Sequence, residues 1–256
     1  MGGNLRIRLD VRRRVKELAK SLLSMFGYEI HQSGFAPSWS YSFNQLRTRG
    51  FHPKTVIDIG VAEGTPDLYC AFPHAQYILV DPTRESLPHM KAIATRLNAQ
   101  ILNIALGETE DDIEMTVRTD DIGGSSFFEE IGPLGPTTRY RVPVRRFDQV
   151  IPGFERPALC KIDVQGGEIM LLRGMGSRIE EIDAFVIECS VIATVKGGPE
   201  VAEIFAFFFE RGFVLYNVLS MSRRPLDHAL AQVDLLFVKA GSTFRADRRW
   251  AAIPTL

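Results

Sequence analysis

Short β-branched runs alternate with stretches of helical period through most of this chain. From residue 51 onward, residues 55–61, 76–81, 100–106, 159–164 and 184–188 are short runs rich in β-branched and apolar residues that read as strands, the first of them buried. Helical stretches fall between them, at about 65–71, at 84–97 and through Glu168, Leu171 and Leu172. Val201, Ile204, Phe205 and Phe208 turn one apolar face of a later helix to the core, and Gly212 stops it. Phe207-Phe-Phe209 sits on that helix and reads as packing. Strands alternating with helices predict an α/β fold, a mostly parallel sheet covered on both faces. Two last strands, 213–218 and 233–238, have no helix between them and predict an antiparallel hairpin at one edge.

Two regions break the alternation. Residues 107–147 hold two strands, 113–118 and 140–145, around a loop containing Gly123-Gly-Ser-Ser126 and Gly132-Pro-Leu-Gly-Pro136. A loop this long reads as a lid or substrate-facing segment, against the plainer reading of a surface excursion. Near the start, Arg6, Arg8, Arg12, Arg13, Arg14, Lys16 and Lys20 face only Asp10 and Glu17, with Val11, Val15, Leu18, Leu22 and Met25 at helical spacing. This basic amphipathic helix is open to three readings: packing on the domain or on a second subunit as a homodimer contact, contact with a membrane surface, or targeting. No uninterrupted apolar core follows its charges, which argues against a secretory signal, and Arg6 stands where myristoylation needs Ser or Thr. We expect an N-terminal extension over 1–50, a catalytic domain over 51–240 with the 107–147 insertion, and a tail over 241–256. Arg245, Arg248, Arg249 and Trp250 in that tail read as a solvated end.

Charge narrows the function classes. Lys and Arg total 30 against 31 for Asp and Glu, a balance unlike that of a dedicated nucleic-acid binder. Cys70, Cys160 and Cys189 are too scattered for a disulfide framework or a zinc site, which suggests a cytoplasmic protein. His31, His52, His74, His89 and His228 show no metal spacing. No apolar run approaches the ~20 residues of a membrane-spanning helix.

The stretch Val56-Ile-Asp-Ile-Gly-Val-Ala-Glu-Gly64 carries the chemistry. A buried strand ends in a small-residue turn that opens a helix, leaving backbone N–H groups accessible to a ligand. Asp81 follows Asp58 by 81 − 58 = 23 residues, at the end of the next strand, where an acid accepts hydrogen bonds from a ribose. A dinucleotide fingerprint starting at Gly60 would need glycines where Ala62 and Thr65 stand, and Glu63 would set an anion beside a pyrophosphate. A phosphate-free nucleoside with a positive centre, such as S-adenosylmethionine, fits better, with Asp58 and Glu63 near its amino group. A strand–turn–helix with no ligand is the bland alternative.

Together with Leu79-Val-Asp-Pro82, Asn103-Ile-Ala-Leu-Gly107, and Lys161-Ile-Asp-Val-Gln-Gly-Gly-Glu168 followed by Leu172-Arg-Gly174, this stretch resembles the FkbM family of class I S-adenosylmethionine-dependent methyltransferases. The resemblance spans residues 50–240, and the Lys161–Glu168 stretch is its distinctive part. Gln165 stands where that family often has Glu, and Gly167 where it often has Ala; the first difference removes a carboxylate ligand or base. The resemblance implies a Rossmann-like seven-strand sheet with the last strand antiparallel and the cofactor over the C-terminal strand ends. It implies methyl transfer to a hydroxyl of a small molecule, sugar or glycan. Asp58, Gly60 and Gly64, with Ala62 and Glu63 of the same turn, would shape the methionine side. Asp81 would take the ribose, Pro82 and Thr83 the wall, and Asn103 and Ala105 the adenine.

An alcohol attacks poorly until its proton is being removed, so a base is needed within hydrogen-bond reach. Asp163, closing the fourth strand, is the first candidate, followed by Glu168 and Glu188. These carboxylates could instead hold Mg²⁺, or serve structure by capping a helix or pairing with Lys161. Two rival functions stay open: a non-catalytic cofactor-binding or assembly module on the same fold, and a nicotinamide-dependent oxidoreductase, which the glycine spacing disfavours.

Overall fold

In the computed structural model, which describes residues 36–132 and 135–250, the chain runs through α1 (Trp39–Thr48), β1 (Thr55–Ile59), α2 (Pro66–Ala71), β2 (Gln76–Val80), α3 (Leu87–Ala94) and β3 (Ala99–Leu102). Next come β4 (Ala105–Leu106), β5 (Asp111–Arg118), β6 (Thr137–Arg145), α4 (Phe147–Val150), β7 (Ala158–Ile162) and α5 (Glu168–Gly174). The last elements are β8 (Ala184–Ser190), α6 (Val201–Glu210), β9 (Phe213–Arg223) and β10 (Leu230–Lys239). The basic helix expected before residue 28 lies outside the described residues.

Across the main sheet the order is β3-β2-β1-β7-β8-β10-β9. The first five strands are parallel, and β10 runs antiparallel to both its neighbours. This is the mostly parallel α/β sheet with a reversed last strand that the sequence predicts. β1 and β7 are buried at every position, which is why their runs are continuous instead of alternating. β4, β6 and β5 form a second, three-stranded sheet, with β5 and β6 as an antiparallel hairpin.

Apolar side chains fill both faces of the main sheet. On one face Phe208 lies between Phe185, 5.0 Å away by ring centroid, and Phe237, stacked at 4.5 Å. On the other, Phe43 and Leu46 of α1 are fully buried with Val56, Leu159 and Leu236. α1 belongs to the same compact unit as the sheet, which begins at Pro37.

Three elements differ from expectation. The strand expected over 100–106 is broken, because the Asn103 side-chain amide donates to the Asp81 carbonyl at 2.7 Å and the Thr83 carbonyl at 2.9 Å. The chain leaves the main sheet there, and β4 pairs with β6 instead. The helix expected over 84–97 forms only over Leu87–Ala94, since Thr83 and Ser86 first wrap around Asp81. On α6 the buried face is Ile204, Phe207 and Phe208, while Phe205 is half-exposed against the Phe237 ring edge.

The parallel register fixes where a ligand can bind. Ile59 pairs with Val80 on one side and Ile162 on the other, so the segments beginning at Gly60, Asp81 and Asp163 leave the sheet side by side. Ligands of open parallel sheets bind outside these carboxyl ends.

Candidate functional site

Gly60 turns the chain out of β1 at φ +77, and a Cβ there would stand 1.7 Å from the Asp163 carbonyl oxygen. Only glycine lets the two backbones touch in this way. Ala62 at φ 46 and Gln165 at φ 48 follow in the left-handed region, which non-glycine residues seldom adopt. Such conformations cost on the order of 1–3 kcal/mol and tend to collect at ligand sites.

Between these turns lies a cleft. Asp81, Thr83, Asp163 and Gln165 line it together with the apolar Ile104, Leu106, Met115, Ile122 and Phe127. Of the positions expected to hold a cofactor, Gly60, Ala62, Asp81, Pro82, Thr83 and Ala105 line this cleft. Glu63 is exposed outside it, Gly64 packs against Ile93 and Tyr69, and the Asn103 amide is committed to the backbone. The apolar wall was not legible in the sequence, because Met115, Ile122 and Phe127 arrive from the insertion.

Asp81 is 5% exposed and organises the turn. Its Oδ1 accepts from Thr83 N at 2.9 Å, Thr83 Oγ1 at 2.7 Å and Ser86 Oγ at 2.7 Å, while Oδ2 accepts only the Ala62 N–H at 2.8 Å. Oδ2 therefore keeps capacity for one further donor. A carboxylate oxygen with one open site, apolar lining side chains and the small residues Gly60 and Ala62 fit an adenosyl group, whose ribose Asp81 would hold.

Asp58 is fully buried beneath the turn, away from the cleft. Its Oδ2 accepts from Tyr69 Oη at 2.6 Å, and its Oδ1, without a hydrogen bond, lies 3.4 Å from Lys161 Nζ. Lys161 is its register partner on β7. Lys161 Nζ also donates to the Gly60 carbonyl at 2.5 Å and lies 3.5 Å from Asp163 Oδ2. Burial alone would lower the lysine, but Asp58, Asp163 and Glu188 outweigh it and hold its pKa above the ordinary lysine value. The ammonium thus ties the glycine turn to the carboxylate at the end of β7.

A second cleft opens beside the first and shares Gly123, Asp163 and Gln165 with it. Gln165 Nε2 bridges Asp163 Oδ1 at 2.9 Å and Glu188 Oε2 at 2.6 Å, and Gln232 Nε2 reaches the same Glu188 oxygen at 3.1 Å. Burial, with Asp163 and Asp234 nearby, pushes the Glu188 carboxyl up to about 9. Glu168 lines neither cleft: it accepts the Gly166 N–H at 3.0 Å, and burial pushes it up to about 7. Among the described residues no three His, Cys, Asp or Glu side chains converge as a metal site. These side chains do not fit Mg²⁺.

Residues 58–215 match the family described as Methyltransferase FkbM domain. No curated protein matches the chain. The fold is similar to that of Precorrin-6y C5,15-methyltransferase from Geobacter metallireducens, at 7% identity and a TM-score of 0.42, covering 78% of this chain and 87% of that one. It is similar to magnesium protoporphyrin IX methyltransferase from Synechocystis with bound SAM, at 13% identity and a TM-score of 0.42, covering 83% and 87%. A third such structure is the 1,6-didemethyltoxoflavin-N1-methyltransferase of Burkholderia thailandensis with S-adenosylhomocysteine, at 9% identity and a TM-score of 0.43, covering 79% of each chain.

Proposed function

The chain belongs to the FkbM methyltransferase family, and from that premise we propose that this S-adenosylmethionine-dependent enzyme methylates a hydroxyl of a small molecule or glycan, with Asp163 as the base. The observation that carries the reading is the position of Asp163 at the seam of the two clefts, lining both. When bound, the cofactor supplies a sulfonium-activated methyl group, and the C–S electron pair returns to sulfur on transfer.

The chain's own part is alignment and proton removal. Nucleophile and methyl must meet at roughly 3–3.5 Å, and the hydroxyl proton must pass to a base within hydrogen-bond reach. Asp163 is held for that task from both sides, by the Gln165 amide on Oδ1 and the Lys161 ammonium near Oδ2. It is about one-third exposed in side chain, so an acceptor can reach it. Glu188, whose carboxyl is pushed up by burial with Asp163 and Asp234 nearby, accepts the Gln165 and Gln232 amides and serves to hold these side chains in place. Glu168 secures the turn at Gly166, and Asp58 holds Tyr69 and Lys161.

Transfer of label from methyl-labelled cofactor to a collection of hydroxylated small molecules and glycans tests this reading. Asp163→Asn should bind S-adenosylhomocysteine nearly as well as wild type and lose about 100-fold or more in turnover. Undiminished turnover in that variant would remove Asp163 from the mechanism.

A further inference from the structure

The second cleft has a composition of its own. The loop after β5 crosses it and is fastened to the segment after β8: Ile131 N–H donates to the Thr194 carbonyl at 2.8 Å, Lys196 N–H to the Glu129 carbonyl at 2.8 Å, and Lys196 Nζ pairs with Glu129 at 2.5 Å. The insertion thereby forms a wall of this cleft. Polar groups dominate the lining, among them Gln165, Thr194 and Gln232.

Its charge is unbalanced. Asp121, Glu130, Asp163 and Glu188 line it together with a single cation, Arg118. Arg118 is already engaged, 3.4 Å from Asp120 and 4.0 Å from Asp121. Lys161, behind the wall, is divided between Asp58 and Asp163. With a proton on Glu188, three carboxylates still outnumber the one guanidinium. Burial raises the Glu188 carboxyl, and Asp163 and Asp234 raise it further by disfavouring another negative charge beside them.

We infer that this cleft is the acceptor subsite and that it selects by charge, admitting an uncharged or cationic polyhydroxylated ring and rejecting anionic acceptors such as uronates, phosphates and sulfates. The inference rests on the methyltransferase reading and adds the acceptor class to it. Amides, a hydroxyl and carboxylates supply both donors and acceptors, which suits a ring carrying several hydroxyls. Like charges at short range in a partly desolvated cleft repel far more strongly than in water. The seam at Asp163 brings such a ring to the one place where its hydroxyl meets both the base and the cofactor cleft.

The test uses the full chain loaded with S-adenosylhomocysteine and three probes on one skeleton: methyl glucoside, methyl glucosaminide and methyl glucuronoside. Binding is read by saturation-transfer NMR with a titration of each probe. The neutral and amino probes should bind, and the uronate at least about tenfold more weakly. The double change Asp121→Asn with Glu130→Gln should bring the uronate to within about twofold of the neutral probe. Equal binding of the uronate by the wild type, no effect of the double change, or no binding by any probe would overturn the inference while leaving the methyltransferase reading intact. Failure of the protein to take up S-adenosylhomocysteine would overturn both.

Discussion

Asp81 gathers four donors around one carboxylate, and only Oδ2 keeps an open site toward the cleft. The position of this acid, and of Asp163, is legible in the sequence because each follows directly on a buried strand. The fate of Asp58 is not. Its expected role beside a ligand's amino group gives way to a buried contact with Lys161, because the pairing of β1 with β7 joins residues about a hundred positions apart. Glu188 makes a pH-dependent contribution. Burial, with Asp163 and Asp234 beside it, holds its carboxyl well above the ordinary carboxylate range, so the stability held by its proton is complete below that range and is lost as pH rises through the raised value. Urea melts at pH 5 and pH 9 should show wild type losing roughly 2–5 kcal/mol more than Glu188→Gln over that window. Equal losses would contradict the buried, protonated state.

At the scale of elements, the strand–turn–helix beginning at β1 is the best-determined piece. Its glycine is required by a backbone approach that no side chain tolerates. Gly60→Ala should therefore fail to bind S-adenosylhomocysteine and lower the melting temperature by about 5 °C or more, whereas Gly241→Ala, with nothing within 4 Å of its added Cβ, should change neither. A Gly60→Ala variant that melts and binds like wild type would refute the packing described. The break at Asn103 and the late start of α3 were hidden because both follow from side-chain bonds around Asp81, across a turn that hydrophobic period does not record. The two strands of the insertion are legible at 113–118 and 140–145, but their pairing and their membership of a second sheet are not, since a two-residue β4 leaves almost no signal.

For the whole molecule, the alternation of strands and helices was enough to give the sheet class and the edge hairpin, while the two clefts depend on how the insertion folds back over the strand ends. The aromatic centre sets the stability of this frame. Phe208→Ala should cost about 3–5 kcal/mol in chemical denaturation, and Phe209→Ala, 76% exposed on the same helix, less than about 0.5 kcal/mol. Comparable losses in the two would contradict the packing of α6. Methyl transfer by this chain requires the cleft beside Gly60 and Asp81 to hold the adenosyl group. Titration calorimetry with S-adenosylhomocysteine tests it most directly: saturable one-site binding by the wild type, weakened at least about 100-fold in Asp81→Ala protein that still gives a cooperative melt, is the expected result. No heat from the folded wild type, or undiminished affinity in the variant, would contradict it.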